Sequence, residues 1–542
     1  MQAERGRVAA PPAGFRPLGP VPFVHEVILE HCAAQPEAAA VGCAGTILRY
    51  GELAAASARI AHALRDRAPE SVVGVLLERS VHAVAAMLGI WRAGLVYLPL
   101  DPMYPPERLR FMLRDSDAQL LIGTRASAGA LASDAALPLL AVDELGAGDG
   151  STSGDRRDDA REASPTNAVS GVPEPGRERR DRSSLVPAYL LYTSGSTGRP
   201  KGALCTHRGL AAIMVHDYRL QRGPLRRGEA HAVWTSVSFD VWLYEVLAAL
   251  VVGGRAELVP DEIRFDAPAY VGWLRDNRIA GAFVPASIVG LLADALAAEP
   301  RAFALRRMLV GSEPVDEGQV RRVMAAAPAM EVHNGYGTTE CTIISSFHGY
   351  HAEAPLPGIA PLGRAIDGSW LAVVGDDGEP LPPGTTGELC IGGVGVALGY
   401  CNNPELSAAR FHDAASPELR YYRTGDLATL PADGPAQFHG RKDRQFKLRG
   451  VRIEPGDVES ALRTMDGVRE AVVGVRTYRG REILVAYVQT KAGPLAAKDL
   501  RRHVSGFVPP AMVPEKFVLV GTIPTTINGK VDHDALARVP LG

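Results

Sequence analysis

Cysteine is scarce: six residues in 542 (Cys32, Cys43, Cys205, Cys341, Cys390 and Cys401), none in CxxC spacing. That scatter fits neither a disulfide framework nor a zinc site, and it points to reduced thiols in a cytoplasmic protein. An excess of charge of one sign is also missing. With 58 Lys and Arg against 61 Asp and Glu, the net charge of -3 supplies no field to hold nucleic acid or an anionic membrane, so neither is expected as a partner. No 18-residue apolar run occurs, and the first twenty residues place Glu4, Arg5 and Arg7 among Ala, Gly and Pro without an apolar stretch. Membrane insertion and export are therefore not expected.

What remains is ordinary globular composition, 46% hydrophobic and 22% charged, in a chain too long for one compact core. Between Gly51 and Gly123, helical stretches (Glu52 to Arg65, Val81 to Arg92) alternate with short apolar runs (Val72 to Leu77, Val96 to Leu100, Leu120 to Ile122). This alternation predicts an α/β fold with a parallel sheet covered on both faces. Residues 146–184, rich in Gly, Ser, Pro, Asp and Arg, break the pattern and read as a flexible insertion. The mixed pattern returns at Leu185 and runs to about Gly440, followed by a charged stretch from Arg441 to Arg452. Helices (Asp457 to Arg463, Ala497 to Val504) and strands (Glu470 to Val475, Ile483 to Val488) then predict a compact α+β domain. A division into residues 1–442 and 443–542 follows.

The strand-like Tyr189-Leu190-Leu191-Tyr192 leads into Thr193-Ser194-Gly195-Ser196-Thr197-Gly198-Arg199-Pro200-Lys201-Gly202. Glycines let backbone N–H groups turn toward a ligand, hydroxyls add donors and Lys201 adds a positive charge, which together suit a phosphate. A Walker A loop is excluded, because Lys201 follows Pro200 and precedes Gly202. A bland Gly/Ser turn has the same composition; the full ten-residue string after a strand is far more specific.

That string resembles the phosphate-binding core of the adenylate-forming superfamily, and further strings in order resemble its nonribosomal peptide synthetase branch. They are the run from Arg92 to Asp101, Asn334-Gly335-Tyr336-Gly337-Thr338-Thr339-Glu340, Gly387-Glu388-Leu389, Tyr422-Arg423-Thr424-Gly425-Asp426-Leu427, Gly440-Arg441-Lys442-Asp443-Arg444-Gln445 and Asn528-Gly529-Lys530-Val531-Asp532. The resemblance implies a large domain of αβ-layered sheets with a small β-barrel-like subdomain, and a small mobile α+β C-terminal domain. It also implies use of ATP and Mg²⁺, with Lys530 bridging the substrate carboxylate and the adenylate, Glu340 holding the metal and Thr339 beside it. Thr193, Ser194, Gly195, Ser196, Thr197, Gly198 and Lys201 would cradle phosphates. Asn334 and Tyr336 would meet adenine, Asp426 the ribose hydroxyls, and Arg441 the ribose or phosphate side. Thr338 departs from the family, which usually has proline there.

The run Ser238-Phe239-Asp240-Val241-Trp242-Leu243-Tyr244-Glu245 opens an apolar helix, where Asp240 is most simply a helix cap. In the resembled family an aspartate at this place pairs with a substrate α-ammonium, which favours an amino acid over a fatty or aryl acid. The pocket positions implied are Asp240, Val241, Tyr244, Phe283, Leu309, Gly311, Gly335, Ile343 and Ile344. They hold no charge beyond Asp240, so a small neutral aliphatic amino acid of alanine to valine size is expected. The resemblance further implies transfer of the acyl group to the phosphopantetheine thiol of a separate carrier protein, a hinge at Asp443, and a free-standing ligase. It leaves open an MbtH-like helper. The competing readings are a D-alanine-type carrier ligase, an acyl-CoA synthetase and a non-catalytic nucleotide-binding scaffold.

Overall fold

The structure, a computed structural model, describes residues 15–145, 185–195, 200–220, 225–350, 358–413, 416–491, 493, 495–525 and 531–541. Its large domain carries two mainly parallel sheets. In the six-stranded sheet the order is Leu139–Ala141, Leu120–Gly123, Val72–Leu76, Val96–Leu100, Pro187–Thr193 and Lys201–Thr206, the last strand alone antiparallel. The expected apolar runs are its strands, and burial of Val73, Val75, Leu98, Leu121 and Ile122 explains why they lack polar alternation. Helix Val81–Arg92 covers this sheet, capped by Ser80, whose hydroxyl accepts the Ala83 N–H. Its buried Trp91 donates the indole N–H to the Ala188 carbonyl at 2.8 Å. That bond anchors the strand which leads into the Gly/Ser/Thr string.

The nine-stranded sheet has six adjacent parallel strands at its centre: Glu331–Tyr336, Arg307–Gly311, Gly281–Phe283, Ala230–Val233, Arg255–Leu258 and Ala39–Cys43. In open α/β sheets ligands settle at the carboxyl ends of the strands. Here those ends deliver Phe283, Gly311 and Tyr336 to one cleft. A third, antiparallel sheet joins Ser369–Val374, Gly387–Gly393, Tyr421–Thr429 and Phe411–His412, with Gln437–Arg441 pairing to the long strand. This is the small subdomain; in the described residues it is an open five-stranded sheet.

The C-terminal domain pairs Val468–Tyr478 with Arg481–Thr490 and adds Lys516–Leu519 in parallel. Helices Pro455–Arg463 and Ala497–Ser505 bury Val458, Leu462, Leu500 and Val504 against it. The charged stretch from Arg441 to Arg452 is more than a connector. Strands Phe446–Leu448 and Val451–Ile453 form a hairpin whose two turn residues, Arg449 and Gly450, both have positive φ (52° and 76°). That is the turn geometry whose twist matches a two-residue hairpin. No helix of the described residues is long and apolar enough to cross a membrane.

Candidate active site

The Gly/Ser/Thr string begins where strand Pro187–Thr193 ends, and the chain returns as strand Lys201–Thr206, with Thr193 opposite Lys201. Ser196, Thr197 and Gly198 lie outside the described residues. Thr193 and Ser194 are buried, and the Gly195 N–H points at a carboxylate of the C-terminal domain, lying 3.3 Å from each oxygen of Asp457. Lys201 reaches back into the site: its Nζ lies 3.6 Å from Glu340 Oε1 and 5.2 Å above the Tyr400 ring.

Glu340 sits in a single turn, Thr339–Cys341, with no exposure to solvent. Tyr400 donates its hydroxyl to Oε1 at 2.8 Å, and Arg452 places Nη1 2.9 Å from Oε2. Burial alone would raise this carboxyl, but Arg452 and Lys201 together hold it well below the usual carboxylate range. A permanent anion surrounded by cations results. Lys201 titrates below its ordinary value, because burial and the Arg452 charge outweigh the pull of Glu340.

Next to this turn, Tyr336 donates its hydroxyl to Asp426 and Arg441 binds the other oxygen of the same carboxylate. Asn334 turns its amide to the Pro361 carbonyl at 2.8 Å. Arg441 also clasps Asp443 through Nε at 2.7 Å and Nη2 at 2.9 Å. Burial pushes Asp443 up, yet this guanidinium brings its carboxyl below the ordinary value. Lys530 lies outside the described residues; its flanking residues Thr525 and Val531 bridge to each other in the C-terminal domain.

A cavity of about 690 Å³, lined among others by Asn334, Tyr336, Thr339, Asp426, Arg441 and Arg452, lies beside these groups, within the size range of small-molecule sites. Asp240, Val241, Phe283, Leu309, Gly311, Gly335, Ile343 and Ile344 all line it. Asp240 opens helix Asp240–Leu250, but Phe239 is the capping residue and offers no side-chain bond. The Asp240 carboxylate is therefore free of capping and instead accepts the Thr339 hydroxyl at 2.8 Å. Burial raises its pKa, while Thr339 and the charge of Lys447 pull it back. Tyr244 is not on the cavity wall: its hydroxyl meets Asp217 at 3.1 Å, beside the buried Arg307–Asp217 ion pair. Thr342 and Ile343 stand at φ 56° and 65°, costly for β-branched residues, and this bend turns Ile343 and Ile344 into the cavity.

Gly311 and Gly335 differ in what they do. At Gly311, with φ 144°, an added Cβ would come 2.3 Å from the Gly335 carbonyl oxygen, so the backbone itself requires glycine. At Gly335 a Cβ would instead meet Leu309 at 3.1 Å and Ile344 at 3.3 Å, so this glycine sets the depth of the pocket.

Residues 28–401 match the AMP-binding enzyme family, and residues 457–530 match the AMP-binding enzyme C-terminal domain. The chain belongs to the AMP-binding enzymes. Within them it is an AMP-forming adenylation enzyme of the nonribosomal peptide synthesis branch. It is 34% identical over 550 residues to syringomycin synthase SyrB1 of Pseudomonas syringae pv. syringae, covering 98% of this chain and 84% of that protein. Tyrocidine synthase 3 of Brevibacillus parabrevis is 34% identical over 520 residues, 95% of this chain. The chain spans only 8% of tyrocidine synthase 3 and 9% of bacitracin synthase 1 of Bacillus licheniformis. Among solved structures, holo-PA1221, a nonribosomal peptide synthetase protein with adenylation and PCP domains bound to a vinylsulfonamide inhibitor, superposes with TM-score 0.75 at 26% identity, covering 95% of this chain and 84% of that one.

Around the cavity of this adenylation enzyme stand residues that its sequence strings do not single out: Phe446, Lys447, Gly450 and Arg452 of the C-terminal hairpin line it, beside Gln445 from the charged string. Burial lowers the Lys447 pKa, opposed by the Asp240 charge. Gln445 ties the hairpin together, accepting from Arg441 and from Arg452 at 3.0 Å each. The charged stretch from Arg441 to Arg452 contains all of these, but cations alternating on a hairpin give no sign in sequence of the carboxylates they face.

Proposed function

We propose that this adenylation enzyme activates a small neutral aliphatic amino acid, of the alanine to valine class, as its acyl-adenylate and passes the acyl group to the phosphopantetheine thiol of a carrier protein. The observation that carries the reading is Asp240: a half-buried carboxylate on the cavity wall beside the apolar Val241, Phe283, Leu309, Ile343 and Ile344. A carboxylate withdrawn from water is costly without a close counter-charge, and the Thr339 hydroxyl and the more distant charge of Lys447 only partly satisfy this one. A substrate α-ammonium completes the pair, whereas a plain carboxylic acid leaves it unbalanced. The apolar remainder would leave a charged side chain unpaired, which favours a neutral one.

Attack of the substrate carboxylate on the α-phosphorus, with loss of pyrophosphate, loads charge on phosphate oxygens, and donors and cations at that point lower the barrier. The Gly195 N–H and Lys201 stand at the entrance of the phosphate loop, and Lys530 is assigned the bridge between carboxylate and phosphate. Asp426, at present closed by Tyr336 and Arg441, opens to the ribose hydroxyls when nucleotide displaces those partners.

The residues fit Mg²⁺. Glu340 is a hard oxygen donor in a place that draws positive charge, and no cluster of three or more His, Cys, Asp or Glu is found among the described residues. That matches an ion which takes one or two carboxylates and completes its shell with phosphates and water. The metal would neutralise phosphate charge.

Transfer to the thiol calls for the C-terminal domain to turn about Asp443, which lies between strand Gln437–Arg441 and the hairpin and is clasped by Arg441. The carrier reading is supported by holo-PA1221, which holds adenylation and PCP domains in one chain. ATP–pyrophosphate exchange across the proteinogenic amino acids, their D-forms, β-amino acids and simple acids tests the substrate. Exchange is expected with alanine- to valine-sized amino acids; exchange with fatty or aryl acids alone overturns the reading.

A further inference from the structure

Strand Arg307–Gly311 and helix Asp240–Leu250 both lead away from the cavity into the core. Leu309 and Gly311 line the cavity, and Arg307, on the same face of the strand, lies about 7 Å deeper than Leu309 at ~3.3 Å per residue. Tyr244 follows Asp240 by one helical turn, about 6 Å along the axis. The two meet there. Tyr244 donates its hydroxyl to Asp217 Oδ1 at 3.1 Å, and Arg307 Nη2 donates to that hydroxyl at 3.4 Å, while Asp217 and Arg307 form an ion pair. His231 completes this layer: it stands opposite Gly281, which stands opposite Arg307, and its ring is edge-on to Tyr244 at 6.4 Å. Water is shut out, with Tyr244 0% and Asp217 and Arg307 each 3% exposed.

The layer above is apolar, with Phe283 in register with Leu309. Tyr244 packs in the same buried cluster as these two, so its ring belongs to the apolar layer and its hydroxyl to the charged one. A buried ion pair adds little net stability, since well-packed apolar residues of similar volume often do as well. Its place beneath the pocket points to another role. We propose that Asp217 and Arg307 are positioning residues for substrate choice: by holding the Tyr244 hydroxyl down, they keep the ring below the cavity as its floor and so leave room for a branched side chain. This inference rests on the function proposed above and names what sets the depth of that pocket. A buried hydroxyl without a partner is costly, and the nearest space open to it is the cavity. A released Tyr244 therefore turns its hydroxyl upward and shortens the pocket.

The test is ATP–pyrophosphate exchange with alanine and with valine, read as the ratio of their kcat/KM values, alongside a thermal melt. Asp217→Leu combined with Arg307→Met removes both charges together and both partners of the hydroxyl. It is expected to lower the valine-to-alanine ratio by about 10-fold or more, the effect of a methylene in an apolar pocket. Adding Tyr244→Phe deletes the hydroxyl that lacks a partner and is expected to return the ratio toward that of the parent. A pair that merely supports the fold would lower both amino acids alike, and loss of the hydroxyl would not rescue it. An unmoved ratio in the double variant, or a triple variant as low as the double, overturns the proposal. Should the double variant fail to fold, Asp217→Asn, which keeps the shape but weakens the hold on both partners, is expected to move the ratio in the same direction, and an unmoved ratio there overturns the proposal equally. The parent protein separates the two ideas: no exchange with either amino acid removes the substrate reading on which this rests, whereas exchange with a ratio indifferent to these variants removes only the positioning role.

Discussion

Replacing Asp240 by asparagine deletes one charge and almost no volume. The Thr339 hydroxyl, 2.8 Å from the carboxylate, keeps an acceptor in the amide oxygen, and the cap of helix Asp240–Leu250 does not involve this side chain. Folding therefore loses little and is relieved of a carboxylate whose burial raises its pKa. Binding loses much, because the substrate ammonium enters the same apolar cavity without its counter-charge. Truncating one partner of a buried charge pair costs about 2–5 kcal/mol, or roughly 30- to 5,000-fold in kcat/KM for the amino acid. The assay is pyrophosphate exchange with the preferred amino acid and with the matching acid that lacks the amino group, alongside a thermal melt. The amino acid is expected to lose by that factor, the des-amino acid to be unchanged or better, and the melting temperature to hold. Equal losses for both compounds, or no loss for either, would refute the pairing of Asp240 with an ammonium.

Gly335→Ala, which sets a methyl 3.1 Å from Leu309 and 3.3 Å from Ile344, is expected to shift preference toward the smallest amino acids by about 10- to 200-fold per methylene, read as kcat/KM ratios in exchange. Lys530→Ala is expected to remove most pyrophosphate exchange while ATP still binds, measured by calorimetry; near-normal exchange would contradict its role. Seating of the C-terminal domain against the Gly195 N–H should also depend on pH through Asp457. Burial raises it to about 7 in the seated structure, with Glu454 adding to the rise and Arg108, Lys201 and the Gly195 N–H opposing it. A group raised on seating takes up a proton, so its contribution is complete at low pH and is lost as pH climbs through about 7. The seated fraction is expected to fall between about pH 4 and 7 and to level off above, and Asp457→Asn to flatten that fall.

The strands at Val72–Leu76, Val96–Leu100 and Pro187–Thr193 were legible because strands buried on both faces read as unbroken apolar runs. The helices at Val81–Arg92 and Pro455–Arg463 were legible from their spacing. The site was legible only as far as local strings reach. Tyr244 shares a helix face with Asp240, but its direction is decided by Asp217, 27 residues away, and by Arg307, 63 away. Glycine at 311 appears in sequence only as one pocket position among nine, while the structure makes it a demand of two backbones in contact. Thr338 stands where the resembled family usually has proline, and its φ of -126° lies outside the range a proline ring permits. Arg452 meets Glu340 across 112 residues, a distance no periodicity encodes.

The hairpin tip has one more bearing. Gly450 donates to Glu313 and lies near Ser312, and these residues directly follow Gly311, at the end of the strand that supplies Leu309 to the pocket wall. Under the proposed function, choice of amino acid and the seating of the C-terminal domain are thus written into one continuous stretch of five residues. Grafting that stretch from another enzyme to change its substrate also transplants a different seat, so exchanged pockets should carry altered turnover even for amino acids they accept.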